Sequence, residues 1–339
     1  GTSLDGLDLC FASFEHEACG AWRFHIRAAE TIAYSDLWLQ HLRTAHNLAA
    51  LDFIALHKSY GRYLGEQSCA FLDRHNLNAD YIASHGHTIF HQPQRGITFQ
   101  LGDGAALAAA ARASVICDFR SLDVALGGQG APLVPVGDRL LFAGYDACLN
   151  LGGFANISYE QDARRLAFDV CPCNIALNAL AQQLGAAYDR DGLLAQQGSV
   201  NEHLLASLNA LEFYAQRGAK SLGREWVEEI FWPIVAQCDD SVNSKLRTVC
   251  EHVAMQVAAC AQGRTMLVTG GGAFNAFLLQ RMAALASCKV ELPDAQIVCF
   301  KEALVFAFLG ALYTSNHASC LASATGAARD CVGGCLVKY

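Results

Sequence analysis

Gly1-Thr2-Ser3-Leu4-Asp5-Gly6-Leu7-Asp8 opens the chain, and the apolar run Leu9-Cys10-Phe11-Ala12 follows it. Small hydroxyl residues, glycines and two carboxylates three apart, ahead of an apolar run, describe a tight turn opening into a strand. Gly1 and Gly6 let backbone approach a ligand closely. Thr2 and Ser3 offer hydroxyl and N–H donors to an anion. Asp5 and Asp8 are placed to hold a divalent cation or a water. Donors for a phosphate beside a carboxylate for its Mg²⁺ are what phosphoryl transfer asks for. An ordinary hairpin turn draws on the same residue types, so the octapeptide alone leaves both readings open.

Other turns of this kind recur along the chain. Cys148–Leu151 and Thr265–Thr269 read as strands that run straight into Gly152-Gly153 and Gly270-Gly271-Gly272, and Gly127-Gly128-Gln129-Gly130 is a third glycine cluster. In open α/β sheets ligands bind at such strand ends. No GxxxxGK[ST] motif occurs, and the turn at Gly270 lacks the third glycine of a dinucleotide loop. A bound nucleotide would therefore be held by several separated turns. Strand-like and helix-like segments alternate, which points to an α/β fold. Helices are predicted over 48–75, 103–113, 174–184, 276–286 and 301–313, and helical, polar character over 196–232 with a loop around Gly218–Gly223. Short strands are predicted over 81–84 and 114–117.

A chain of 339 residues, 53% hydrophobic and 17% charged, is core-rich and long enough for two domains. Its net charge of −8 argues against a nucleic-acid partner. The longest apolar run, Ala303 to Tyr313, is too short for a bilayer, which takes about 20 residues, so no membrane partner is expected. Fifteen cysteines, an odd number without a CxxC, several of them in apolar runs, suggest reduced thiols in a cytoplasmic enzyme.

Taken together, these segments resemble the anhydro-N-acetylmuramic acid kinase family. The octapeptide is similar to that family's phosphate-binding hairpin. Ser84-His85-Gly86-His87-Thr88-Ile89-Phe90-His91-Gln92-Pro93 resembles its SHGQT-x-x-HxP stretch. Asp118-Phe119-Arg120 with Asp123-Val124-Ala125-Leu126-Gly127-Gly128-Gln129-Gly130-Ala131-Pro132-Leu133 is very close to its central signature. Leu149–Ser158, Val268–Asn275, Glu302-Ala303 and Ala324-Thr325-Gly326-Ala327 follow in the family's order. The resemblance implies two actin-like ATPase (ribonuclease H-like) domains with nucleotide and substrate in the cleft between them. The first would hold 1–122 with 302–339 packed back on it, and the second 123–301.

The resemblance also implies the chemistry. ATP, water and 1,6-anhydro-N-acetylmuramic acid would become ADP and N-acetylmuramic acid 6-phosphate, in cell-wall recycling. Asp169, in Phe168-Asp169-Val170-Cys171-Pro172-Cys173-Asn174, would be the general base that activates water; a helix N-cap is the structural alternative for it. Gly1, Thr2, Ser3, Leu4, Asp5 and Gly6 would grip phosphates, with Asp5 positioning Mg²⁺. Gly152 and Gly153 would contact phosphates from the other domain, and Gly270, Gly271, Gly272 and Asn275 would line the adenosine side. His85, His87, Arg120 and Glu302 would meet the sugar, and the protein would be a homodimer.

Departures from the pattern carry expectations of their own. The family segment usually reads FDTGPGN, so Cys171 and Cys173 stand where glycines are usual and must avoid glycine-only backbone angles. The family also begins with a strand ahead of the Gly-Thr-Ser turn. Its absence here suggests a trimmed or processed N-terminus and a first sheet one strand short. His85-x-His87 could be half a zinc site if both imidazoles share a strand face. Alternatives in function are an actin-like ATP-binding switch and a kinase for a related amino sugar.

Overall fold

The computed structural model describes the chain apart from Gly1, Thr2, Ser3, Asp5, Arg217, Ala219, Gln262 and Ser287. Twelve strands are described: β1 (Leu7–His16), β2 (Trp22–Ile32), β3 (Ile82–Ser84), β4 (His87–Gln92), β5 (Ile97–Leu101), β6 (Val115–Cys117), β7 (Ala147–Leu151), β8 (Phe154–Gln161), β9 (Arg164–Pro172), β10 (Thr265–Thr269), β11 (Lys289–Glu291) and β12 (Cys335–Val337). The chain forms two compact units, 1–141 with 300–339, and 142–299. The expected α/β class is borne out.

In the first unit β1 and β2 pair antiparallel, β4 and β5 form a hairpin, and β12-β6-β3 make a separate sheet with β3 parallel to β6. Helix Ala50–His75 turns Leu56, Tyr60, Leu64 and Phe71 inward at the spacing of one helical stripe. Asp103 caps helix Gly104–Ala111, its carboxylate accepting the Ala106 N–H at 2.7 Å. Among the described residues β1 and β3 are each hydrogen-bonded to a strand on one side only. Both line a cavity of about 590 Å³, together with Tyr60 and Phe306 from two helices.

Segment 123–141, expected in the second domain, packs within the first unit. Asp123 is fully buried there, accepting the Gly130 N–H and the Thr325 hydroxyl, each at 2.7 Å. Asp138 forms a buried ion pair with Lys301 at 2.6 Å. The apolar run near the C-terminus is also longer than expected. It belongs to helix Ala295–Thr314, which by length and composition could cross a bilayer. More than half of its apolar window is buried in the protein, and the charge of Lys301 is paired inside, so it serves as a core helix.

The second unit is built on the sheet β11-β10-β7-β8-β9, parallel through β11, β10 and β7 and antiparallel through β8 and β9. Leu149 and Leu151 are fully buried, as strands covered on both faces should be. Helix Val242–Ala261 repeats Leu246, Val249, Val253 and Val257 toward this core. The polar region 196–232 is helical in short pieces, Glu202–Asn209 being its longest α-helix, and the described residues of the expected loop around Gly218–Gly223 belong to no helix or strand.

Candidate active site

In the second unit, three turns meet at the ends of β7, β9 and β10. Cys173 and Ile175 donate N–H groups to the Gly153 carbonyl, Asn174 donates its own to Gly152, and Asn174 Nδ2 donates to Leu151 O at 2.9 Å. The start of helix Asn174–Gln183 is thereby stitched to the Gly152-Gly153 turn. Gly270 has φ +83°, and a Cβ there would lie 2.5 Å from Asn150 Oδ1 and 2.9 Å from the Leu151 carbonyl carbon. Only glycine fits that approach. Gly153 has open space around it. Asn275 is nearly buried and caps helix Ala276–Leu285, accepting the Leu278 N–H at 3.0 Å. Backbone turns at strand ends beside two helix starts suit an anionic ligand.

Asp169 lies on β9, five residues ahead of the helix, whose N-cap position is held by Cys173. Its side chain does not cap that helix. Oδ2 instead accepts the Leu222 N–H at 2.8 Å, and the Asp169 N–H donates to the Lys220 carbonyl at 2.9 Å. Burial raises the Asp169 pKa above the ordinary carboxylate value, and the Leu222 N–H opposes that shift. Cys171 and Cys173 are both fully buried, and neither takes a positive φ, as expected for residues standing at glycine positions. Burial pushes the Cys173 thiol up to about 12 and raises the Cys171 thiol well above its ordinary value, so both are neutral packing groups.

In the first unit, Arg120 donates its Nε–H to His85 Nε2 at 2.9 Å and an Nη1–H to the Gly130 carbonyl. His85 Nδ1 lies 3.0 Å from Gly86 O, which places the ring proton on Nδ1 and leaves Nε2 to accept. Burial pushes the His85 pKa down to about 2 and that of His87 to about 4, so both are neutral. Phe306 packs on His85 with ring centroids 4.5 Å apart. Desolvation lowers the pKa of half-buried Arg120, and the charge of exposed Glu302 opposes that shift.

His85 and His87 do not share a strand face: His85 precedes β4 in a turn made by Gly86 at φ +72°. Among the described residues the metal-ligand grouping is instead Asp123, Cys320 and Cys331. There the carboxylate serves the Gly130 and Thr325 hydrogen bonds. Leu4 and Gly6 are described at the entry to β1, whereas Gly1, Thr2, Ser3 and Asp5 lie outside the described residues. Sequence reasoning passed over Lys220 and Leu222, because nothing local to residues 220–222 signals that the chain returns to β9.

Glycine turns at the ends of β7 and β10, together with a desolvated carboxylate on β9 of the same sheet, make this an α/β protein with a candidate anion site and a candidate base. A family model described as anhydro-N-acetylmuramic acid kinase matches residues 1–338, and the chain belongs to that family. The anhydro-N-acetylmuramic acid kinase of Shewanella oneidensis is 33% identical over 354 residues, covering 98% of this chain and 95% of that protein. That of Pseudomonas paraeruginosa is 39% identical over 273 residues, covering 75% and 74%. Among solved structures, a ROK family glucokinase from Streptomyces griseus in complex with glucose and AMPPNP aligns at 13% identity and TM-score 0.37, covering 84% of this chain and 92% of that one. The activator of the 2-hydroxyisocaproyl-CoA dehydratase from Clostridium difficile with bound ADPNP aligns at 16% identity and TM-score 0.36, covering 54% and 67%.

Proposed function

We propose that the protein phosphorylates 1,6-anhydro-N-acetylmuramic acid with ATP while water opens the internal ether, releasing ADP and N-acetylmuramic acid 6-phosphate. The observation that carries this reading is the family match over residues 1–338. Asp169 gives it a mechanism. Its ionised carboxylate takes a proton from water as the water attacks the anomeric carbon, and the freed O6 accepts the phosphoryl group. Leu222 N–H holds Oδ2, which leaves Oδ1 to accept that proton. Because burial raises its pKa, activity is lost as pH falls through a value higher than that of an ordinary aspartate.

The turns at Gly152-Gly153 and Gly270–Gly272 would hold phosphates and adenosine through backbone donors. The bare backbone that Gly270 requires and the open space at Gly153 fit that task. Asn275 supports the same turn by capping the helix that follows it. Gly1, Thr2, Ser3, Leu4 and Gly6 would add phosphate contacts, and Asp5 would hold Mg²⁺ through water. Bound Mg²⁺ supplies charge neutralisation for the transferred group. His85, His87, Arg120 and Glu302 would meet the sugar. Neutral His85 and His87 suit hydroxyl or amide partners, while Arg120 suits an anionic one. The reading places the enzyme in cytoplasmic murein recycling, as a homodimer.

ADP release with and without the anhydro-sugar, over a panel of amino sugars, tests this. Release should depend on the anhydro-sugar, and Asp169→Asn should lower turnover by about 10²-fold or more while ATP still binds. Sugar-independent release, or an unaffected Asp169→Asn variant, would point to an ATP-driven switch. Preference for another sugar would reassign the substrate.

A further inference from the structure

Residues 220–222 have no task in the proposed reaction, yet they touch Asp169 twice. The Asp169 N–H donates to the Lys220 carbonyl at 2.9 Å, and the Leu222 N–H donates to Oδ2 at 2.8 Å. β9 is the terminal strand of its sheet, so this strap meets its outer edge, to which no strand among the described residues pairs, at the residue proposed as the base. Residues 220–223 belong to no helix or strand, so regular structure does not hold the strap in place.

Lys220 supplies the anchor. Its Nζ donates to the Phe213 carbonyl at 3.1 Å and stands 4.5 Å from the Phe213 ring centroid. The Phe168 and Tyr214 rings lie at 5.9 and 6.0 Å. A cation over aromatic faces, also hydrogen-bonded to a carbonyl, is attracted to that one place. The platform beneath it is itself fixed. Phe213 is buried, and the Tyr214 hydroxyl lies 2.9 Å from Nε2 of fully buried His252. Nδ1 of His252 in turn lies 2.7 Å from Asn209 Oδ1. Lys220 makes no ion pair with Asp169, so its influence passes through the strap.

We propose that Lys220 is a positioning residue for Asp169, anchoring the 220–222 strap so that the Leu222 N–H reaches the carboxylate. This rests on Asp169 being the base. The donated N–H favours the ionised carboxylate that must accept a proton, against burial, which favours the neutral acid. The other titratable groups close to this pair are the thiols of Cys171 and Cys260 and the Tyr214 hydroxyl; burial raises the pKa of all three. Losing the strap therefore removes the one interaction that lowers the Asp169 pKa.

The test is steady-state kinetics against pH, with ATP and the anhydro-sugar, for wild type, Lys220→Met, Lys220→Gln, Lys220→Arg and Asp169→Asn. Thermal melting reports whether each variant folds. Lys220→Met and Lys220→Gln should lower kcat about tenfold with KM within about twofold, and move the acid limb up by on the order of one pH unit. Lys220→Arg should restore most of kcat and the original limb. If Lys220→Met and Lys220→Gln fold and keep both kcat and limb while Asp169→Asn is inactive, the positioning role falls and the base assignment stands. A loss shared equally by the arginine variant, with the limb unmoved, also overturns it. Activity surviving in Asp169→Asn overturns the base assignment itself.

Discussion

His252 is fully buried and Asp169 and His85 are half-buried, and desolvation moves their pKa values in opposite directions because it disfavours whichever form is charged. The carboxylic acid shifts up; the imidazoles shift down, His85 to about 2 and His252 to about 3. For the histidines this links stability to pH. The unfolded chain takes up a proton near 6.5 while the folded state does not, so stability is full above that pH and falls as pH drops from 6.5 toward 3. The limiting slope is about 1.4 kcal/mol per pH unit for each such histidine. Urea unfolding from about pH 7 to about pH 5 should therefore show falling stability. In His252→Gln the fall should be shallower by about 1 kcal/mol per pH unit; an unchanged slope would mean that His252 is not held neutral.

At the scale of elements, the parts legible in the sequence were those set by local periodicity and by punctuation. Helix Ala50–His75, strand Thr265–Thr269 and helix Asn174–Gln183 follow from spacing and flanking glycines, and they fall within a few residues of expectation. What was not legible depends on distant partners. The glycines of 218–223 mark a loop, yet its strap at Lys220 exists because β9 is the terminal strand of its sheet and Phe213 offers a carbonyl. His85 and His87 looked like neighbours on one strand until Gly86 turned the chain between them. The Gly270 turn could be read as a turn, but its reason, the approach to Leu151, is a contact across 119 residues of sequence. Gly270→Ala should therefore raise the KM for ATP about tenfold or more, since both φ +83° and the space are closed to a side chain. An alanine variant with ordinary ATP kinetics would remove that turn from the nucleotide site.

For the molecule as a whole, two units divide the work differently from the sequence expectation. The first reaches to residue 141 and takes back 300–339, because Asp123 binds Gly130 and Thr325 and because Lys301 pairs with Asp138. The signature Asp123–Leu133 is thus partly a structural knot, which explains why its residues are specific without all being chemical. The second unit carries Asp169 and the three turns, and the family match runs over both. The account's central claim is that water, activated by Asp169, attacks the sugar while the freed oxygen takes the phosphoryl group. Running the reaction in ¹⁸O-labelled water with ATP and 1,6-anhydro-N-acetylmuramic acid tests it most directly, with mass spectrometry locating the label. The account predicts one ¹⁸O at C1 of the phosphorylated sugar and none in its phosphate. Label in phosphate, or an unlabelled sugar product, would contradict it.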